Sequence, residues 1–311
     1  MSLMVWGHRG HRYHRYRQLH PEGPYASAAM PHENTLAAYQ QVLSRTMGFE
    51  CDVVQSQTGT AFVVHDTLFD GMVQYELRQQ LDNNSVAQIG DRFIFQLSNQ
   101  EIRDLRLKDG QTIPRLQDVL HLFGTYPDRY INLELKGPNV FKTAIRSVER
   151  AIYHKMITPE QVLFSSYNIP ALRRLRADVG IRFKISLSFM VASQPLAQMY
   201  PNWPMAEQEA YYVPFSVEAL QRPDMVDIQP DFFNIDVTSM QIETLESIYF
   251  FYPKAKIILW CSGEMPPAID TRLVDMAQIY AQTGKIFAVI SDYPMDVQEE
   301  LRQRQVDLLV P

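Results

Sequence analysis

The sequence has 311 residues, 46% hydrophobic and 21% charged, with 29 Lys and Arg against 35 Asp and Glu and a formal net charge of −6. Such a chain is long enough for one large core or two modest domains, and its acidity excludes nucleic acid as the main partner, because proteins that neutralise many phosphates are basic. Its two cysteines, Cys51 and Cys261, sit in neither a disulfide framework nor a Cys/His zinc spacing, which fits a reducing compartment. The opening residues run directly into His8 and Arg9 without a signal peptide's apolar core, and no apolar run reaches the roughly 18 residues of a membrane helix. The expected location is the cytoplasm, with no stable membrane anchor.

Short apolar runs alternate with amphipathic ones along the whole chain. "LMVWGH" reads as a strand and "TLAAYQQVLSR" as a helix capped by Asn34 or Thr35. "GFECDVVQS" and "AFVVHD" are strands, and "LQDVLHLFG" is a helix ending at Gly124. Five further strands follow, carried by "YINLELK", "VLFSSY", "RFKISLSF", "VDIQPDFFNID" and "KIILWCSG", and "KIFAVISDYP" supplies the last. Helices intervene, and "MDVQEELRQRQ" closes the series. With "AFVVHD" taken as a hairpin partner of the second strand, eight strand–helix units remain. That rhythm implies parallel strands with crossover helices, and eight units in this length imply an α/β fold of the (β/α)8 TIM barrel type. A doubly wound open sheet is disfavoured, since no glycine-rich dinucleotide fingerprint follows the first strand. The expectation is a single domain over residues 1–311, with a small polar insertion after the second strand unit (about 68–112) and an extended aromatic loop (about 190–225).

A barrel places its chemistry at the C-terminal ends of its strands. Here those ends carry His8-Arg9, Glu50 and Asp52, His65-Asp66, and Glu134 and Lys136. Strand side chains alternate, so Glu50 and Asp52 share a face, as do Glu134 and Lys136, while Cys51 points the other way. Ionisable groups among Val, Ile and Leu are costly unless paired or bound to a metal. Carboxylates aimed at one space repel and raise one another's pKa, and a hard divalent cation relieves this. Oxygen-only ligation favours Mg²⁺ or Ca²⁺ over zinc. Any one such pair alone is an ordinary solvated strand end; three pairs ending strands of one barrel make a site.

Taken together, "GHRG" (7–10), "ENT" (33–35), "ECDVVQSQTGTAFVVHD" (50–66), "IPRLQDVL" (113–120), "LELK" (133–136), "FSSYNIPALRRLR" (164–176), "LW" (259–260) and "SDYP" (291–294) resemble the glycerophosphodiester phosphodiesterases, in that family's order. The resemblance implies a barrel with a small insertion. It implies one divalent metal ion held by Glu50, Asp52 and Glu134, His8 and His65 as the acid–base pair, and Arg9 and Lys136 on the phosphate. Glu33 would help order the phosphate-binding side, and Trp260 would line the pocket. The implied reaction is hydrolysis of a small-molecule glycerophosphodiester to glycerol 3-phosphate and an alcohol. The departures are a 22-residue gap between "HRG" and "ENT", His32 in place of the usual Pro before "ENT", and Thr58-Gly59-Thr60 in place of an Asp-Gly turn.

Two other readings compete. One is a phosphodiesterase of lysophospholipids or sphingolipids on the same barrel, with an apolar rim supplied by the aromatic loop. The other is a barrel that binds phosphodiesters without turnover, against which the complete set of seven residues (His8, Arg9, Glu50, Asp52, His65, Glu134 and Lys136) argues. The run His11 to His20 reads either as an electropositive funnel for anionic substrates or as a solvated loop. The aromatics Tyr200, Trp203, Tyr211, Tyr212 and Phe215 read either as a cage for a quaternary ammonium or as loop packing.

Overall fold

The computed structural model describes residues 2–13, 30–65, 77–136, 139–180, 182–189, 217–237, 242–261 and 271–311. The first strand, β1 (Leu3–Gly7), is buried along its whole length, as a continuous apolar run should be when both faces of a parallel sheet are covered. Helix α1 (Leu36–Leu43) follows, and the Thr35 hydroxyl caps it by accepting the Ala38 N–H at 3.3 Å. Strand β2 (Gly48–Gln55) runs parallel to β1 and antiparallel to β3 (Ala61–Val63), with Val53 opposite Val63. The hairpin reading of "AFVVHD" is therefore correct. Helices α2 (Asn83–Ile89), α3 (Asn99–Asp104) and α4 (Leu116–Phe123) precede β4 (Tyr130–Leu135) and α5 (Val140–Tyr153).

The second half of the chain continues with β5 (Val162–Ser166), α6 (Ile169–Val179) and β6 (Lys184–Phe189). Two short helices, α7 (Val217–Leu220) and α8 (Pro223–Ile228), occupy a stretch expected to be largely irregular. Then come β7 (Phe232–Asp236), α9 (Ile242–Phe251), β8 (Lys256–Trp260), α10 (Thr271–Ala281), β9 (Ile286–Ser291) and α11 (Pro294–Gln303). A two-residue strand, β10 (Leu308–Leu309), ends the chain beside Leu3 and Met4 and was not foreseen. The strand order is β10-β1-β9-β8-β7-β6-β5-β4-β2-β3, and β1 also pairs with β2. Leaving out β3 and β10, eight parallel strands close on themselves as a (β/α)8 barrel.

By its packing the chain divides into two compact units. The first comprises Trp6–Gln161 and Asp292–Pro294, and the second Met1–Val5, Val162–Ser291 and Met295–Val310. Within the first unit the insertion differs from its polar appearance. Leu77, Leu81, Ile89, Ile94, Leu97 and Ile102 are all buried, and with Phe62 of β3 they form a core of their own. Its helices are capped locally. The Asp82 carboxylate accepts the Ser85 N–H at 2.7 Å, and Ser98 with Glu101 forms a reciprocal capping box at the start of α3. The expected aromatic loop residues Tyr200, Trp203, Tyr211, Tyr212 and Phe215 lie outside the described residues, as does Asp66.

Candidate active site

The charged strand ends of β1, β2 and β4 all belong to the first unit. The register between β2 and β4 sets Asp52 directly opposite Glu134, and Glu50 opposite Asn132. Glu50 and Asp52 are 2% and 1% exposed. Glu50, Asp52 and Glu134 each offer an oxygen within 4.8 Å of the other two. Like charges directly across a strand pair are destabilising. Burial first, then the charges of Asp52 and Glu134, pushes the Glu50 carboxyl well above its ordinary range. Burial acts the same way on Asp52, but Lys136, His65 and Arg9 more than offset it and hold that carboxyl far down. The Lys136 ammonium reaches Asp52 at 2.7 Å and Glu134 at 3.2 Å. Burial would lower its pKa, yet those two carboxylates raise it above the ordinary lysine value.

The turn after β1 threads through this cluster. Arg9 has φ 52 and Gly10 φ 81, both in the left-handed region. A Cβ on Gly10 would lie 2.9 Å from the Ala38 Cβ, and one on Gly7 would lie 1.8 Å from the Gly10 carbonyl oxygen. Both glycines are therefore dictated by the tightness of the turn and its seat against α1. The Arg9 backbone N–H donates to Glu50 Oε2 at 3.0 Å, and its guanidinium reaches Glu33 at 2.9 Å and Asp52 at 3.1 Å. Asn34 donates its amide to Asp52 at 2.9 Å, its backbone N–H to the Arg9 carbonyl at 2.8 Å, and accepts the Tyr39 hydroxyl at 2.6 Å. An arginine in the left-handed region costs energy that these contacts must hold in place.

His8 lies beside Asp292, with 2.6 Å between Nδ1 and Oδ1, and its Nε2 is 3.8 Å from Glu50. Arg12 joins Glu33 at 2.6 Å and Asp292 at 3.5 Å. Burial would raise the Asp292 carboxyl, but the Arg12 and His8 charges hold it below its usual value. His65 lies just beyond β3, next to Val64, whose N–H donates to the Asp52 carbonyl at 3.0 Å. His65 shares a small cavity with Glu33 and Asn34. Of the expected residues, His8, Arg9, Glu33, Glu50, Asp52, His65, Glu134 and Lys136 thus meet in one unit. Trp260 ends β8 in the second unit, opposite Asp236 in register and edge-to-face with Tyr167 at 6.4 Å.

Some side chains depart from the sequence reading or were overlooked by it. His11 is neither funnel nor solvated loop. It is fully buried, 2.9 Å from Gln41, and burial lowers its pKa to about 4. Tyr13 is buried as well, and Arg12 belongs to the site; residues 14–20 lie outside the described residues. Tyr39 and Asp292 received no role from sequence and Asn34 only that of an alternative helix cap, although Asn34 stands in "ENT" and Asp292 in "SDYP". Cys51 is fully buried on the opposite face of β2, with its thiol pushed up by burial, as a structural cysteine should be.

The donor set suits a hard divalent cation. Among the described residues, one connected network joins five carboxylates (Glu33, Glu50, Asp52, Glu134 and Asp292) to three permanent cations (Arg9, Arg12 and Lys136). With every carboxyl ionised the excess is two negative charges, which a divalent ion would neutralise, and its charge would favour the ionised form of Glu50 against the burial that opposes it. Glu50 Oε1 is buried without a hydrogen-bond partner, a vacancy that metal ligation would satisfy.

The model of the glycerophosphoryl diester phosphodiesterase family matches residues 8–228. No curated protein matches the sequence. Several solved structures share the fold. A Galdieria sulphuraria protein assigned as a glycerophosphodiester phosphodiesterase is 19% identical with a TM-score of 0.65, over 97% of this chain and 99% of that one. A glycerophosphodiester phosphodiesterase from Parabacteroides distasonis is 15% identical with a TM-score of 0.62, over 98% of each chain. An Oleispira antarctica phosphodiesterase, solved with the product sn-glycerol-3-phosphate, is 20% identical with a TM-score of 0.60, over 97% of each. The family match begins at His8 and takes in every proposed polar position except Trp260 and Asp292, and this chain is an enzyme of the glycerophosphoryl diester phosphodiesterase family.

Proposed function

We propose that the protein hydrolyses small glycerophosphodiesters to glycerol 3-phosphate and an alcohol, within one catalytic domain over residues 1–311, in the cytoplasm. The observation that carries this reading is the buried trio Glu50, Asp52 and Glu134, whose excess negative charge sits beside Arg9, Lys136 and His8 in a chain of this family. The trio would hold the divalent ion. When bound, that ion supplies Lewis-acid stabilisation of the charge that builds on the phosphoryl oxygens. Arg9 and Lys136 add to it with fixed positive charge. Glu33 orients this side by holding Arg9 and Arg12 in place.

The proton transfers fall to His8 and His65. One accepts the proton of the attacking hydroxyl as its oxygen bonds to phosphorus; the attacker is either water, giving glycerol 3-phosphate directly, or the 2-hydroxyl of the glycerol, giving a cyclic phosphate that water then opens to glycerol 3-phosphate. The other donates a proton to the alkoxide as the P–O bond to the alcohol breaks. Asp292 is a positioning residue: its carboxylate, 2.6 Å from His8 Nδ1, fixes the orientation and tautomer of the imidazole. Among the described residues no helix is long and apolar enough to cross a membrane.

The test is release of glycerol 3-phosphate from a panel of glycerophosphodiesters, with EDTA, and with Mg²⁺ or Ca²⁺ restored. Metal-dependent release is expected, and the restored ion identifies the physiological one. His65→Ala is expected to lower kcat by about 10²–10⁴-fold while substrate binding persists. No release from any diester by protein shown to hold metal would overturn the proposal.

A further inference from the structure

A second concentration of charge lies away from the strand ends, in a cavity of about 380 Å³ in the first unit. Arg103 of α3, Arg115 before α4, Arg146 and Arg150 of α5, and His154 just past that helix all line it, and no described carboxylate does. This occurs in a chain whose acidic residues outnumber its basic ones. Arg115 is already committed, with two bonds to Asp118 at 2.9 and 2.6 Å. Arg103, Arg146 and Arg150 form no ion pair among the described residues. Arg146 and Arg150 also stand four apart on one helix, where like charges repel. The arrangement is unfavourable as it stands and becomes favourable when an anion enters.

The residue type narrows the ligand. Guanidinium forks match phosphate oxygens two at a time, which a lysine cannot do. The volume falls within the range of small-molecule sites, roughly 300–1,000 Å³. Arg146 and Arg150, with Arg103 shared between the cavity and Asp118, exceed the demand of a single monoanion. We propose that this cavity binds a soluble small molecule carrying two or more clustered phosphate groups, at a site built by α3, α4 and α5 and sharing no residue with the proposed active site.

The experiment is calorimetric titration of the full chain with pyrophosphate and with ATP, in EDTA, at low and high salt. Saturable binding that weakens with salt is expected. Arg146→Ala and Arg150→Ala should each weaken it about tenfold, and Arg150→Lys should lie between wild type and Arg150→Ala. Both alanine variants should keep wild-type diesterase turnover and melting temperature, whereas His65→Ala should keep wild-type anion binding. The site is overturned by absence of binding to either probe, by binding indifferent to the three arginine substitutions, or by binding that His65→Ala removes. Adsorption to anionic vesicles without affinity for the soluble probes would also overturn it. None of these outcomes depends on whether the protein cleaves glycerophosphodiesters.

Discussion

In the first unit the buried polar groups of β2 and the turn after β1 include the ions Arg9, Glu50 and Asp52, whereas those of β5, β6 and β7 in the second unit are mainly neutral: Ser165, Ser166, Ser186, Ser188 and Asn234, with Asp236 the exception. Three of the neutral side chains bond to one another, while the Ser165 hydroxyl is buried without a hydrogen-bond partner among the described residues. The Ser186 hydroxyl donates to the Asn234 carbonyl at 2.8 Å, and the Asn234 amide reaches Ser188 at 3.5 Å. The ionic set obeys a stricter rule, because buried charges are tolerated only when balanced. The described network to which these ions belong has five carboxyl groups against three permanent cations. The difference teaches that the first unit gathers a group of acidic oxygens that could hold a cation, whereas the described strands of the second present neutral dipoles.

Removing a cation should break the comparison most sharply. Lys136→Met deletes the cation that Asp52 and Glu134 share, leaving Asp52 ion-paired with Arg9 alone among the described residues and Glu134 without its ammonium partner; breaking a buried pair typically costs about 3–5 kcal/mol. Urea unfolding in EDTA should show a loss of that order, together with loss of diesterase activity. A variant as stable as wild type would show that Lys136 is not part of the charge balance. Glu50→Gln should do the reverse. The amide oxygen can still accept the Arg9 N–H, while one of the mutually repelling charges disappears. In EDTA the melting temperature should hold or rise, yet kcat/KM should fall about 10²–10³-fold, as expected when a charge-stabilising group is lost. Parallel loss of stability and activity would argue that Glu50 is structural.

How far this arrangement is legible in sequence depends on distance along the chain and on side-chain direction. Glu50 with Asp52 and Glu134 with Lys136 are readable because a strand's period of two places each pair on one face, and the alternating rhythm of elements identifies the barrel that brings both faces together. Asp292 is not readable by that means. It is 284 positions from His8, and its role depends on the end of the last strand returning to the first. Arg12 sits in a run of arginines and histidines where composition cannot say which turn inward. The left-handed φ of Arg9 and Gly10 redirects the chain and sends Arg12 to Glu33 and His11 into the core. The insertion's apolar core is hidden for a similar reason, since its leucines and isoleucines are spread among polar residues without a sustained period.

Asp292→Asn sharpens the same comparison at smaller scale. The amide keeps the shape and loses the carboxylate that holds the His8 ring at 2.6 Å. Loss of a carboxylate partner behind a functional histidine typically lowers activity about 10–100-fold. The fall should appear in kcat with KM nearly unchanged, since Asp292 acts through His8 and does not touch substrate. An increase in KM with kcat preserved would place Asp292 on the substrate instead.

The smallest effect is expected in the second unit, where its size is the point. Ser186→Ala removes the hydroxyl that donates to Asn234, an exchange between neutral groups worth about 1 kcal/mol. Because Asn234 Oδ1 loses its donor inside a buried strand, the cost should be real but several times smaller than that of Lys136→Met. Urea midpoints of the two variants, compared in EDTA and again with the divalent ion restored, separate the cases. The ion should change the stability deficit of Lys136→Met, whose carboxylates it would bind, and leave that of Ser186→Ala untouched. If the ion shifted both deficits alike, the division between an ionic unit awaiting a cation and a neutral one indifferent to it would be wrong.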